Sequence, residues 1–344
     1  MKEIKINFVD FWYGFDKNNN YFYNLLVQKY IVHIDENPDF LFYSCYSNNY
    51  LNYNCTRIFF TGENVRPDFL ACDFAFSFDY NSRKNHFRLP LYSLYIDHHK
   101  MLDKLQSTLT KEEARRVWQA KSKFCCMVVS NANSPKRIDF FNNLSKVKQV
   151  DSGGAVLNNV GGRVADKSEF IKDYKFVISF ENEGYDGYTT EKILEPILMN
   201  CIPIYWGNKL IDKDFNAKRF IDYNSFKTEK ELIDRLLEID KNEELAIAML
   251  LEQPFNMDKK THEEEHQQVL NIISNIIEAN QKPIADAGVD QNVGFSTNAT
   301  LSGIKSSDAD GEINLTQEQI AKICDRNFGI GADGFIRVIK SANH

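Results

Sequence analysis

The segment Phe180-Glu181-Asn182, followed after a Gly-containing loop (Gly184, Gly187) by Tyr188-Thr189-Thr190-Glu191-Lys192, gathers groups suited to a nucleotide diphosphate. An apolar run ends at Phe180. A helix is expected from Thr190 to Asn200, with the Thr190 hydroxyl capping its first free N–H groups. Glu191 and Lys192 then fall in the first turn, where the positive end of the helix dipole and the Lys192 charge both suit phosphate. Glu191 is suited to accept hydrogen bonds from sugar or ribose hydroxyls. Ile193, Leu194, Ile197 and Leu198 form the apolar stripe, whereas Pro196 removes a mid-helix hydrogen bond and predicts a kink or a short helix. The same pattern also describes an ordinary strand–loop–helix with a capping pair. Two further side chains stand near strand ends. Arg137 lies in the first turn after Ser134-Pro135, an N-cap followed by proline at the first helical position, and its guanidinium can bind phosphate oxygens bidentately. Glu63, in Thr61-Gly62-Glu63-Asn64, is a carboxylate able to take a proton from a hydroxyl. Taken singly, each is equally a surface or turn residue.

The elements that must position these groups alternate. Apolar runs at Ile4–Phe11, Phe40–Ser44, Arg57–Thr61 and Phe74–Phe78 read as strands, with a helix over Tyr21–Tyr30. This alternation argues for a parallel sheet covered by helices. Lys111–Lys121 reads as a charged helix linking to a second α/β unit. Its strands are expected at Phe124–Ser130, Phe176–Phe180 and Ile202–Trp206, with a short helix closing over Phe170–Tyr174. Ser152-Gly153-Gly154 and Gly161-Gly162 read as a flexible loop. Helices are expected over Glu229–Ile239, Glu243–Leu251 and Thr261–Ala279. The expected fold is α/β, with two Rossmann-like halves facing a cleft, and chemistry is sought just beyond the carboxyl ends of strands.

The chain has 344 residues, enough for two domains with full cores. Its 26 Phe and 16 Tyr are mostly core material, although aromatic faces also suit pyranose rings. With 41 basic and 48 acidic residues the formal charge is −7, so no broad basic field exists and nucleic acid is not an expected partner. Positive charge for a diphosphate must therefore be local. The seven cysteines are odd in number and lack C-x-x-C spacing, which reads as reduced thiols. The opening Met-Lys-Glu-Ile-Lys-Ile does not read as a secretory signal, and no apolar run approaches ~18 residues. The expected location is the cytoplasm, with scope for peripheral contact at the inner membrane.

Taken together, Phe180 to Lys192 and Ile202-Pro203-Ile204-Tyr205-Trp206-Gly207 resemble the signature of the α1,3/4-fucosyltransferase family. Thr61-Gly62-Glu63-Asn64 with Pro67-Asp68-Phe69 resembles that family's acceptor-side motif. Val128-Val129-Ser130-Asn131 with Arg137, and Ser152-Gly153-Gly154, match as well. The spacing is most similar to the Helicobacter-type bacterial enzymes, over roughly residues 1–260. The resemblance implies a GT-B fold, with an acceptor domain over 1–118, a GDP-fucose domain over 119–255 and a C-terminal helix over 256–281. It implies an inverting in-line displacement that moves fucose from GDP-fucose to an oligosaccharide acceptor. Glu63 would be the general base. Arg137 and Lys192 would neutralise the departing diphosphate. Tyr188 and Glu191 would hold the nucleotide sugar, with Asn182 nearby. No cofactor is implied beyond a stimulatory divalent cation such as Mn or Mg, and no metal ligands are assigned. N-acetyllactosamine and lactose remain open as acceptors, and O3 rather than O4 as the linkage is again implied by the resemblance.

Other signals are set aside. His262-Glu263-Glu264-Glu265-His266 fits H-E-x-x-H, but its flanks are polar and the sequence offers no third ligand. His98-His99 reads as an acceptor-side or structural feature. Gly329-Ile330-Gly331-Ala332-Asp333-Gly334 fits G-x-G-x-x-G too near the end of the sequence for a βαβ unit to follow. Residues 282–344 are an atypical tail. Pro283–Gly311 resembles the start of a PKD-type module and Leu315–Val338 a fragment of diaminopimelate epimerase, whose catalytic cysteine motif Cys324 does not reproduce. Another GT-B transferase, a glycan-binding protein without turnover and an epimerase are the competing readings. The Tyr188–Lys192 motif, the intact Glu63, Arg137 and Lys192, and the missing cysteine motif respectively weigh against them.

Overall fold

The computed structural model describes residues 1–279. The PKD-like and epimerase-like stretches, Cys324 and the Gly329–Gly334 motif lie outside the described residues. Two parallel sheets carry the described chain. The first contains β1 (Lys2–Val9), β2 (Tyr30–Ile34), β3 (Phe40–Tyr43), β4 (Thr56–Phe60), β5 (Phe74–Ser77) and β6 (His86–Arg88), in spatial order β2-β1-β3-β4-β5-β6. The second contains β7 (Lys123–Met127), β8 (Val150–Ser152), β9 (Tyr174–Phe180), β10 (Ile202–Trp206) and β11 (Ile221–Asp222), in order β11-β10-β9-β7-β8. Strands such as β3 and β5 are buried on both faces. Parallel sheets covered by helices on both sides require such continuous apolar runs.

Helices α1 (Tyr21–Leu26), α2 (Leu91–His98), α3 (Leu102–Gln106), α4 (Lys111–Ala120), α5 (Pro135–Ser145), α6 (Lys167–Ile171), α7 (Leu194–Leu198), α8 (Glu229–Lys241), α9 (Glu243–Leu250) and α10 (Lys259–Ala279) complete the layers. Four strands, β2, β6, β8 and β11, were not legible beforehand. The helix expected over Tyr21–Tyr30 stops at Leu26, and Tyr30 opens β2; β6 is three residues long, too short for any periodicity to show. The helix expected to close over Phe170–Tyr174 ends at Ile171, and Tyr174 already belongs to β9.

The cores show how the halves join. Ala114 and Trp118 of α4 pack in the core of the second sheet, so this helix belongs physically to the second half although residues 1–118 were expected to form the first. Helix α10 returns to the first half, burying Val269, Leu270, Ile273 and Ile277 against β1, β3 and β4 side chains. Between the sheets, Tyr92 and Ile96 of α2 share a core with Ile193, Leu194, Tyr205 and Phe215. Arg88 adds a fork-to-fork ion pair with Asp214, at 3.1 Å for Nη1–Oδ1 and 2.7 Å for Nη2–Oδ2. Both partners are largely buried, which favours this rigid geometry over a solvated one.

The Gly153-Gly154 stretch is packed rather than flexible. Gly153 N–H donates to Met127 O at 2.9 Å, and Val156 N–H donates to Val129 O at 3.2 Å. A Cβ on Gly154 would lie 2.0 Å from the Val129 carbonyl oxygen, so the loop lies against the end of β7 only because this side chain is absent. Gly154→Ala is therefore expected to lower stability by ~2 kcal/mol, the scale of overpacking. Urea denaturation checks this, and an unchanged midpoint would mean the loop does not pack in this way.

Candidate functional site

Glu181 follows the last residue of β9 and is completely buried. A carboxylate without water must be satisfied by neighbouring donors, and three converge on it. Thr190 N–H donates to Oε1 at 2.8 Å, the Thr190 hydroxyl donates to Oε2 at 2.7 Å, and Lys192 Nζ lies 3.2 Å from Oε2. Lys192 also donates to Thr190 Oγ1 at 2.8 Å and pairs with Glu191 at 3.6 Å. Burial acts to lower the Lys192 pKa, but the charges of Glu181 and then Glu191 outweigh it, so the ammonium is held above its ordinary range.

This arrangement changes the expected local structure. Thr190 sits at the N-cap position, but its hydroxyl caps nothing, being committed to Glu181. In place of one helix from Thr190 to Asn200 there is a 3-10 turn, Glu191–Ile193, followed by the five-residue α7. Pro196 falls within the first turn of α7, where a missing N–H costs nothing. The positive charge at this site therefore comes from Lys192 rather than from a long helix dipole. Ser134 likewise occupies the N-cap of α5 without a side-chain bond, although Pro135 takes the expected first position.

Arg137 of α5 lies beneath the same strand end, 1% exposed. Its Nη2 donates to Phe180 O at 2.7 Å and to Asn182 Oδ1 at 3.0 Å, and Nη1 donates to Asn131 O at 3.4 Å. Its Nε–H is buried without a partner. Burial lowers its pKa, opposed by the charge of Glu181 and by Tyr188 and Glu191. The structure thus brings Arg137, Asn182, Glu191 and Lys192 together around Glu181.

Tyr188 is almost fully buried and packs against Phe78 of the first half, with ring centroids 5.1 Å apart. Burial raises its pKa, reinforced by Glu181, Glu63 and Glu191 in that order. The loop before it also reaches across the cleft. Gly187 has φ +91°, and a Cβ there would lie 2.4 Å from Phe78 O. Its N–H donates to the buried Asn208 Oδ1 at 2.7 Å, and Asn208 Nδ2 donates to Thr189 Oγ1 at 3.0 Å. Arg66 stacks on Tyr185, 3.2 Å from the ring centroid, and Asn64 hydrogen-bonds Glu183. The Phe78, Arg66 and Asn64 contacts each join a residue that follows a strand of the first sheet to the loop after β9, whereas Asn208, which follows β10, braces that loop from the second sheet.

Glu63 stands on the first-sheet side, beyond β4. Its backbone N–H donates to Thr61 Oγ1 at 3.0 Å, and its Oε1 accepts from the Tyr46 hydroxyl at 2.8 Å. Burial and then the hydrogen bond to Glu63 raise the Tyr46 pKa, so Tyr46 remains a donor. Tyr46 contacts Trp12 at 6.5 Å between centroids. Trp12, Phe11, Phe15 and Tyr95 line a cavity of about 320 Å³ that His98 and His99 also border. Sequence reasoning placed Glu181 in the motif without assigning it a role, and it gave none to Tyr46, Arg66 or Asn208. Glu181 was legible as a charged residue directly after a buried strand; the others depend on contacts across the chain.

The first half matches the α-(1,3)-fucosyltransferase FucT N-terminal domain over residues 6–95, and the second matches the C-terminal region of glycosyltransferase family 10 (fucosyltransferase) over residues 118–280. The α-(1,3)-fucosyltransferase FucT of Helicobacter pylori is 33% identical over 285 residues, covering 71% of this chain and 59% of that protein. The mouse 4-galactosyl-N-acetylglucosaminide 3-α-L-fucosyltransferase 9 is 33% identical over 134 residues, covering 38% of this chain and 36% of that protein. The chain thus spans less than two thirds of the length of these relatives. A crystal structure of an α1,3-fucosyltransferase with GDP-fucose superposes with a TM-score of 0.67 at 29% identity, covering 80% of this chain and 91% of that one. The two parallel sheets and the cleft between them are a GT-B fold. With both halves matched in order along most of its length, the chain belongs to the α-(1,3)-fucosyltransferases of glycosyltransferase family 10.

Proposed function

We propose that this chain is an inverting, GDP-fucose-dependent α1,3-fucosyltransferase acting on the 3-hydroxyl of GlcNAc or Glc in N-acetyllactosamine- or lactose-type acceptors. The observation that carries the reading is the opposition of one carboxylate, Glu63, to a cation-bearing cluster, Lys192 and Arg137 about Glu181, on the other side of the cleft. The relative whose structure contains GDP-fucose supports the donor, and the name of the mouse relative supports a galactosyl-N-acetylglucosamine acceptor. The aromatic cavity beside Tyr46 offers ring faces to such a sugar.

In this mechanism Glu63 takes the proton of the acceptor hydroxyl as that oxygen attacks C1 of fucose from the face opposite the diphosphate. The C1–O bond to phosphate breaks, its electron pair stays on the phosphate oxygen, and GDP departs. Tyr46 orients the carboxylate by donating to one oxygen, leaving the other for the proton. Lys192 and Arg137 stabilise the charge that grows on the diphosphate, and the unpartnered Arg137 Nε–H is a donor in reserve for it. Glu191, the more accessible carboxylate of the cluster, and Tyr188 hold the nucleotide sugar, with Asn182 fixing Arg137. Transfer is assigned no obligatory metal, and added Mn or Mg a stimulating role only. Among the described residues no helix is long and apolar enough to cross a membrane. The six free cysteines described support a reducing compartment, and we place the protein in the cytoplasm with peripheral contact at the inner membrane.

The test is GDP release from GDP-fucose with and without N-acetyllactosamine or lactose, followed by linkage analysis of the product. Acceptor-dependent release with an α1,3-linked fucose is expected; release independent of acceptor would overturn the transfer. Glu63→Gln should retain GDP-fucose binding and lose turnover by ~100-fold or more, as expected for removal of a general base. A near-normal rate would move the base elsewhere. Lys192→Ala should weaken donor binding and rate together. It should also lower stability by ~3 kcal/mol, because Glu181 is left buried without its cation. Calorimetric titration of the folded variant with GDP separates the two effects, and unchanged GDP affinity would remove Lys192 from the diphosphate site.

A further inference from the structure

Helix α10 carries His262 and His266 one turn apart, and both grounds for dismissing their H-E-x-x-H motif fail in three dimensions. The helix is half-buried despite its polar flanks, with His262 3% and His266 8% exposed. A third ligand comes from elsewhere in the chain, since Asp97 of α2 closes a group in which one ligand atom from each residue lies within 4.8 Å of the others.

We propose that Asp97, His262 and His266 bind a divalent transition metal, Zn²⁺ by its chemistry, as a structural clamp between α2 and α10. Two neutral imidazoles and one carboxylate are a ligand set that zinc takes with water in the fourth position. The two Nε2 atoms lie 2.8 Å apart. Tetrahedral zinc with 2.0–2.1 Å bonds separates two nitrogens by roughly 3.3 Å, so the rings need open by only about 0.5 Å. The hydrogen-bond chain runs from Tyr21 Oη to His266 Nδ1 at 2.5 Å and on to His262 Nε2, and it leaves His262 Nδ1 buried without a partner whichever tautomer is present.

When the metal binds, the proton shared between the two Nε2 atoms moves to a ring nitrogen that is not coordinated, so each imidazole stays neutral and no net proton is released. His266 Nδ1–H then donates to Tyr21 Oη, the outer hydrogen bond that orients a metal-bound histidine. The cluster opens to solvent through a cavity of about 330 Å³ bordered by Lys100, Asp103, Lys259 and Glu263. Lys259 is engaged by Asp103 at 3.0 Å, leaving the entrance close to neutral and passable to a hydrated cation. The clamp would join α2, whose other faces pack on both sheets, to the helix that returns from the second half to the first.

The experiment uses the full chain, dialysed against a chelator and titrated with Zn²⁺ by calorimetry and with Co²⁺ by visible absorption. One metal per chain is expected, with a ligand-field spectrum lacking thiolate charge transfer, and a rise in melting temperature on adding Zn²⁺. Asp97→Asn, exposed and safe for folding, should weaken binding by at least about 10-fold, and Tyr21→Phe by about 10-fold. His266→Gln should abolish it, with circular dichroism confirming that the variant is folded. Absence of stoichiometric binding to the folded wild-type chain overturns the proposal. So does a thiolate signature, or affinity unchanged in both Asp97→Asn and His266→Gln. None of these readouts depends on fucosyl transfer.

Discussion

A carboxylate sealed from water has to be neutralised by the chain itself, and the second half of this protein is organised around meeting that demand at Glu181. Burying a charge without a partner would cost several kcal/mol. The structure answers with a backbone N–H, a hydroxyl and an ammonium, all from Thr190 and Lys192. These bonds pull the Thr190–Lys192 turn onto the end of β9. They redirect a hydroxyl that would otherwise cap a helix, and with Glu191 they hold the Lys192 pKa above its ordinary range where burial alone would lower it. Arg137, anchored on Phe180 O and Asn182 Oδ1, shares the same strand end, so two cations gather about one buried anion, with Glu191 as a second, more accessible carboxylate beside Lys192.

That unit works only if the opposite wall of the cleft is held at a fixed distance. The loop between β9 and Tyr188 is tied to the first half by the Tyr188–Phe78 contact, the Arg66–Tyr185 stack and the close approach of Gly187 to Phe78 O. Behind the cleft, the Arg88–Asp214 pair and the shared core around Tyr92 and Phe215 make the join rigid. Helix α10 crosses back to cover the first sheet, so the two halves are interlocked rather than simply consecutive. The Asp97–His262–His266 cluster lies on this return path. A metal there would strengthen the join without touching the reacting groups.

Much of the fold was legible because parallel strands buried on both faces leave apolar runs that few other structures require. Phe40–Tyr43, Phe74–Ser77 and Phe176–Phe180 show this plainly. The edge strand β6 was not legible, since three residues carry no period, and β2 was lost because Val27, Gln28 and Lys29 are compatible with a helix and do not mark the true end of α1. The ownership of α4 was hidden as well. Its charged surface suggested a linker, whereas two residues, Ala114 and Trp118, seat it in the second core.

What the sequence by itself determined was the family and which chemistry-bearing residues come after strands. The residue types at Glu63, Arg137, Asn182, Tyr188, Glu191 and Lys192 follow strand ends, and strand ends of parallel sheets converge on one rim. The tertiary structure alone decided which of these groups meet and in what charge state. Glu181 becomes the organiser because β9 ends in the interior, Tyr46 becomes the partner of Glu63 because β3 and β4 are neighbours, and two histidines on a polar helix become a buried pair with a carboxylate because α10 folds back onto α2. Contacts between residues 17 to 169 positions apart depend on how the chain closes on itself, and no local pattern encodes that closure.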